Sequence, residues 1–281
     1  MTLFQIYNRQ IMKNISVSIP GGNGRMGKTL LDLIIDSEKY KIAAATCLPD
    51  EKEVGLDIGD LVGKGKIFQV LDSDPMKLFQ NSDVLIDFTV PEATMFHAKN
   101  CYENNIPLVI GTTGLDIKQE EELLIFSKKI PIVYSANFSI GITLLSSLVE
   151  EATKSLGRDW DIEILEMHHK HKIDAPSGTA LMLGKSAAVA RGQDLSSVKS
   201  VSRDGIVGKR SSDEIGFAVL RGGDVVGEHT VLFSNNGERL ELVHKASDRS
   251  IFASGALRAS FWAANAKPGL YTLLDVLKNG G

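Results

Sequence analysis

Between Asn14 and Phe138 the chain switches repeatedly between two hydrophobic periods, and this switching limits the possible folds more than any other feature. Short apolar, β-branched runs ("NISVSIPG", "KIAAATCL", "DVLIDFT", "IPLVIGTTG", "IPIVYSANF") alternate with stretches that carry apolar residues at helical spacing ("RMGKTLLDLIIDSEKY", "PEATMFHAKNCYENN", "DIKQEEELLIFSKK"). Strands alternating with helices make βαβ units, and βαβ units make a parallel sheet. The second half changes character. A long amphipathic stretch, "SIGITLLSSLVEEATKSLG", leads into "DIEILEMHH" and then "EIGFAVLRGGDVVGEHTVLFSNNGERLELVHKA", where glycine-rich turns separate strand-like runs. That pattern predicts an antiparallel or mixed meander, hence a second domain of α+β type. The last thirty or so residues are expected to return to helix, in "FASGALRASFWAAN" and "LYTLLDVLKN". There is no internal repeat.

The first strand runs into "PGGNGRMG", in which Gly22, Gly24 and Gly27 follow a G-x-G-x-x-G spacing. Glycines there permit a tight turn, close approach of backbone N–H groups to a pyrophosphate, and close packing of the next helix, whose N-terminal dipole faces the phosphates. The pattern is weak by itself and gains weight from its place after a strand within a βαβ unit. Two later strands also end in small polar residues, "GTTG" and "SANF", and ligands of open parallel sheets bind beyond the strands' carboxyl ends. The expected cofactor-binding residues are therefore Gly21, Gly22, Asn23, Gly24, Arg25, Met26, Gly111, Thr112, Thr113, Ser135, Ala136, Asn137 and Phe138, with Arg25 read as touching cofactor phosphate.

"EMHHKHKIDAPSGTA" puts three of the six histidines and two lysines into five consecutive positions. Pro176 ends the extended run and Ser177 sits at a helix-cap position, so Gly178 and Thr179 present backbone N–H groups at a positive helix end, which favours an anion. A metal site is the competing reading for clustered histidines. His169 and His171 would face the same way in an extended segment, but no third ligand spacing is evident and the lysines repel a cation, so no metal is assigned. Of the others, Lys170 reads as a solvated charge, His171 as structural, and His97, His229 and His244 as ordinary packed or surface residues.

Composition bounds the function classes. The 281 residues suffice for one large or two ordinary domains. A net charge of −4 argues against nucleic acid as the main partner. The longest apolar runs fall short of the roughly 20 residues needed to span a bilayer. The opening "MTLFQIYNRQIMKN" lacks the features of a secretory signal, and two cysteines do not make a disulfide framework, so a cytoplasmic location with reduced thiols is expected.

The chain closely resembles the 4-hydroxy-tetrahydrodipicolinate reductase (dihydrodipicolinate reductase) family of the diaminopimelate route to lysine. The resemblance runs from about Asn14 onward, through "GGNGRMG", "IDFTVPEAT", "VIGTTG", "SANFSIG", "EMHHKHKIDAPSGTA", "GEHTVLF" and "ERLELVHKASDR". It implies a Rossmann-like dinucleotide-binding domain (residues 1–138 and 249–281) and a substrate-binding, tetramerising domain (139–248). It also implies hydride transfer from NADH or NADPH to a ring carbon of a cyclic imine bearing two carboxylates, with a proton supplied and water lost. Carried over by motif, His168 and Lys172 are the proton-handling pair, and His169, Gly178 and Thr179 bind substrate. Thr113 would lie between cofactor and substrate. Neighbouring cations would lower one another's pKa and ease proton release near neutral pH. The residues ahead of Met12 lie outside the resemblance and are expected to be dispensable.

One departure concerns the cofactor. Where relatives carry an acid followed by arginine at the end of the second strand, this chain has Cys47 and Leu48, and neither side chain grips a ribose diol or a 2′-phosphate; Asp50 or Lys52 could substitute from the loop. Two other functions compete with this one. A nucleotide-sensing Rossmann protein would not need the "HHKHKIDAPSGT" constellation. A related imine or amino-acid dehydrogenase, of the aspartate dehydrogenase kind, would not need two carboxylate-binding elements in one motif.

Overall fold

A computed structural model describes residues 14–201 and 203–280, so the stretch ahead of Met12 lies outside the described residues. The chain divides into two units, one running up to Phe138 and resuming at Phe252, the other spanning Ser139–Ile251.

The first unit is a six-stranded sheet in the order β11-β5-β4-β3-β1-β2, formed by β1 (Ile15–Pro20), β2 (Tyr40–Thr46), β3 (Val84–Asp87), β4 (Leu108–Ile110), β5 (Pro131–Tyr134) and β11 (Gly269–Tyr271), every pair parallel. Helices α1 (Arg25–Ile35), α3 (Pro91–Asn104) and α4 (Ile117–Phe126) connect the strands. The inner strands bury both faces, which explains why they read as continuous apolar runs: β1, β3 and β4 are buried at every position. Helix α1 turns Gly27, Leu30, Leu31 and Ile34 inward at helical spacing. Each fully buried Leu or Ile contributes about 1.5–3 kcal/mol. Helix α4 begins with a reciprocal capping box between Asp116 and Gln119, and α3 ends at left-handed Asn105 (φ 57°).

The chain between β2 and β3, without clear periodicity in sequence, holds only a short helix, α2 (Ile58–Leu61), and a 3₁₀ turn, Pro75–Phe79. It returns alongside β2, where the Cys47 N–H donates to the Asp72 carbonyl and the Asp72 N–H to the Ala45 carbonyl. The C-terminal segment is not all helix. After α8 (Ser250–Ala263), Gly269–Tyr271 joins the sheet edge as β11 before α9 (Leu273–Lys278). Three residues are too few to show a period, and only pairing with β5 makes them a strand.

The second unit has a five-stranded mixed sheet in the order β10-β9-β6-β8-β7, from β6 (Asp161–His168), β7 (Lys199–Ser200), β8 (Ile215–Arg221), β9 (Gly227–Asn235) and β10 (Glu238–Ala246). β6 lies in the middle, antiparallel to β9 and parallel to β8. One face packs Ile162, Ile164, Phe217, Val231 and Phe233 against α5 (Ile140–Leu156) and α6 (Gly178–Ala190). The short α7 (Leu195–Val198) closes this side through Leu195. β6 alternates strictly between half-buried and buried, so Glu166 and His168 share the inward face with the core residues.

Candidate active site

In the first unit the loops after β1, β3, β4 and β5 gather at the carboxyl edge of one parallel sheet, bringing the three expected cofactor segments to a common edge. Gly21 adopts φ +64°, and a Cβ on Gly27 would stand 2.2 Å from the Gly21 carbonyl oxygen, so the turn and the start of α1 fit only with glycine at both positions. Gly24 is the N-cap of α1 and supplies no side-chain cap. The positive end of α1 is thus left to backbone N–H groups beside a cleft of about 170 Å³ lined by Gly21, Gly24, Arg25 and Met26, with Phe88 across from them. Asn23 is half-buried and Arg25 exposed. These features fit the diphosphate of a dinucleotide.

The other two segments are fixed from behind. A Cβ on Gly111 would stand 2.0 Å from the Phe88 ring, and Phe88 packs edge-on against Phe138 at 5.6 Å. Phe138 is fully buried in the core, so its side chain faces protein and only its backbone is available at the sheet edge. Thr112 is buried and accepts from the Thr94 hydroxyl (2.7 Å), whereas Thr113 is exposed. Beneath them Asp87, fully buried, accepts from the Thr89 N–H (2.8 Å) and hydroxyl (2.6 Å) and pairs with His97 Nδ1 (2.7 Å). His97 therefore anchors the loop after β3. The Ser135 hydroxyl donates to the Asn137 carbonyl (2.9 Å), shaping the turn that contains Ala136.

At the end of β2, Cys47 is buried and Leu48 is 66% exposed. Burial, then the charges of Glu51, Glu53 and Asp72, push the Cys47 thiol above its ordinary value, which marks this corner as acidic.

In the second unit, His168 ends β6 and its Nδ1–H donates to Glu166 Oε2 at 2.6 Å. Glu166 also accepts both arms of the Arg221 guanidinium (2.8 Å each) and the Ser177 N–H (3.0 Å). Burial pushes this carboxyl up, but Arg221, His168 and Ser177 together hold it below the usual range. Ser177 is the N-cap of α6 as expected, its Oγ accepting from the Ala180 N–H (3.1 Å) and bonding His229 Nε2 at 3.0 Å. His229 is buried, and desolvation followed by the nearby His168 pushes it down to about 4, so it is neutral near pH 7. Gly178 is exposed, with no atom within 4 Å of its Cβ position, and Thr179 follows in the same first turn.

The segment after His168 is not extended. The Lys172 N–H donates to the His169 carbonyl (3.1 Å), closing a turn in which the His169 and His171 rings stay 6.2 Å apart. The cause is tertiary: the His169 N–H is taken by the Val225 carbonyl (2.7 Å) and the Gly222 N–H by the His168 carbonyl (3.0 Å), so the β8–β9 loop bends the chain. Lys172 Nζ donates to Asp174 Oδ1 at 2.8 Å. His169, Lys170 and His171 line an open hollow of about 600 Å³ together with Arg249. Desolvation, then the charges of Arg249, His171, His168 and Lys172, hold the His169 imidazole below its ordinary value.

The sequence motif does not single out Glu166, Arg221, His229 or Arg249 for roles here. Glu166 left a signal, since a carboxylate two residues before His168 in a strand must share its face. Arg221 and His229 left none: they reach this place only through strand register, His168 pairing with Arg221 and Glu166 with His229.

Comparison with known proteins supplies the family. The model described as "Dihydrodipicolinate reductase, N-terminus" matches residues 15–138, and "Dihydrodipicolinate reductase, C-terminus" matches residues 141–277. A 4-hydroxy-tetrahydrodipicolinate reductase of Halorhodospira halophila is 45% identical over 264 residues, 94% of this chain and 99% of its own length. One from Rhizobium rhizogenes is 48% identical over 260 residues, 92% of this chain and 95% of its own. Among solved structures, a dipicolinate-bound dihydrodipicolinate reductase from Paenisporosarcina sp. TG-14 superposes with a TM-score of 0.74 at 25% identity, covering 92% of this chain and 97% of that one. The glycine turn, the βαβ sheet and the His168 cluster thus sit in a chain that belongs, over nearly its whole length, to the dihydrodipicolinate reductase family.

Proposed function

We propose that this protein reduces 4-hydroxy-tetrahydrodipicolinate to tetrahydrodipicolinate in the diaminopimelate route to lysine, with NADH or NADPH as hydride donor. The bound nicotinamide supplies the hydride. The chain's own residues do the rest: the Gly21–Gly24 turn and the start of α1 hold the diphosphate, and His168 with Lys172 delivers the proton. The amides of Gly178 and Thr179 at the positive end of α6 bind one carboxylate, and Arg249 offers a cation, with His169 a hydrogen-bond donor, to the other. Thr113 is assigned to the substrate side of the cofactor. The observation that carries the reading is the pairing, within one motif, of a carboxylate-held histidine with a helix start suited to a carboxylate. A sensor would need the first unit only.

The second unit is assigned to substrate binding and to a homotetramer. Its outer sheet face carries Leu165, Met167, Ala218, Leu220, Leu232 and Val243, half-buried or exposed. Ion pairs such as Lys245–Glu228 and Arg210–Glu163 stand on the same face. An apolar centre with a charged rim suits a second copy of the chain. Location in the cytoplasm accords with two buried free thiols. Among the described residues no helix is long and apolar enough to cross a membrane.

The test is a coupled assay in which the preceding synthase generates substrate while nicotinamide absorbance is followed with each cofactor. Substrate-dependent oxidation is expected. Cofactor binding without turnover would leave the sensor reading instead.

A further inference from the structure

We propose that Glu166 is the positioning residue of the proton-delivery site: its buried carboxylate holds His168 in one tautomer and ties it to the turn that carries Lys172 and the start of α6. The proposal rests on the reading of His168 as the proton donor.

A carboxylate that is 1% exposed is costly unless paired and fully bonded, and Glu166 is both. It takes four hydrogen bonds from three separate elements: His168 on its own strand, the two arms of Arg221 on β8, and the Ser177 N–H at the cap of α6. An ionised carboxylate only accepts, so the His168 nitrogen 2.6 Å away must carry a proton. Nδ1 is thereby fixed as N–H, and Nε2 is the nitrogen left to exchange a proton. That nitrogen lies against Gly227, where a Cβ would come within 3.0 Å of it.

The same carboxylate reaches the rest of the motif. Arg221, held by Glu166, turns Nη2 onto the Asp174 carbonyl (2.7 Å), and the Asp174 side chain accepts from Lys172 Nζ (2.8 Å). Ser177, also held by Glu166, immediately precedes Gly178 and Thr179. One anion therefore sets the relative places of the proton donors and the carboxylate-binding helix start. The titratable and charged groups facing the His168 ring are Glu166 on β6, Arg221 on β8, His229 on β9 with its ring 5.1 Å away, and His169 and Lys172 in the turn that follows.

Glu166→Gln keeps the volume and removes the charge. In nitrogen-edited imidazole spectra of the full-length protein, with His168 assigned through His168→Gln, the wild type should show the Nδ1–H form. The variant should lose that preference, because the anion that fixes Nδ1 as N–H is gone. The kcat should fall at least about 10²-fold, the scale set by loss of a carboxylate that orients a catalytic histidine, with KM for the nicotinamide cofactor unchanged. Glu166→Asp should recover part of the tautomer preference. His168 spectra unchanged in Glu166→Gln would overturn the proposal, and so would a fall in kcat without any change in those spectra. Should Glu166→Gln not fold, Arg221→Lys leaves the carboxylate but breaks the fork: a raised substrate KM with the Nδ1–H form retained is expected, and an unchanged KM overturns the coupling. Wild-type kcat in His168→Ala would instead sink the proton-donor reading, separately from the spectroscopic result.

Discussion

His168 and Lys172 carry the sharpest residue-scale expectation. His168→Ala and Lys172→Ala should each lower kcat by about 10² or more while leaving cofactor binding intact, because a lost general acid acts on the chemical step. Steady-state kinetics with cofactor titration checks this; unchanged kcat in both would refute the assignment. If the cofactor's ribose docks at the end of β2, as proposed, the charges of Glu51, Glu53 and Asp72 near Cys47 oppose a 2′-phosphate, while no acid stands at Leu48 to grip a diol. Both nicotinamides should therefore work, NADH ahead, with kcat/KM differing by less than about 100-fold, or about 2.7 kcal/mol. Added salt should narrow that gap by screening the acids. Leu48→Arg should raise kcat/KM for NADPH about tenfold or more, and failure to do so would place the ribose elsewhere.

At the scale of elements, the β1–α1 turn is the most constrained junction in the first unit. Gly27→Ala would drive a methyl into the Gly21 carbonyl and the Gly22 backbone, 2.2 and 2.7 Å away, so thermal stability and cofactor affinity should fall together. Asp116→Ala is the comparison. It removes the capping box of α4, far from the glycine turn in sequence, and should cost about 1 kcal/mol of stability with cofactor affinity unchanged. Calorimetry beside cofactor titration separates the two cases. An alanine at position 27 that bound cofactor normally would show that the turn can relax, contrary to its packing. This junction was legible in sequence because glycine spacing after a strand has a local steric meaning.

For the whole molecule, the outer sheet face of the second unit is where assembly should be decided. Leu232→Glu would set a carboxylate in the row that already holds Glu163 and Glu241, register partners of Leu232. Light scattering should then report species smaller than the proposed tetramer while circular dichroism stays native; an unchanged mass would mean that this face is not the interface. The sequence by itself determined a great deal: alternating periods imposed a parallel sheet, the G-x-G-x-x-G spacing marked the tight turn from β1 into α1, and Pro176–Ser177 announced the start of α6. Each follows from a local rule, acting within a few residues or along one strand or helix. What only the tertiary structure decided depends on distant partners. β11 is a strand because β5 pairs with it, and the His169–Lys172 turn exists because the β8–β9 loop takes its backbone bonds. Arg221 and His229 flank His168 because register across three strands puts them there. No periodicity along one segment encodes which residue will lie opposite it in another, so the groups that orient His168 emerged only once the sheet was assembled.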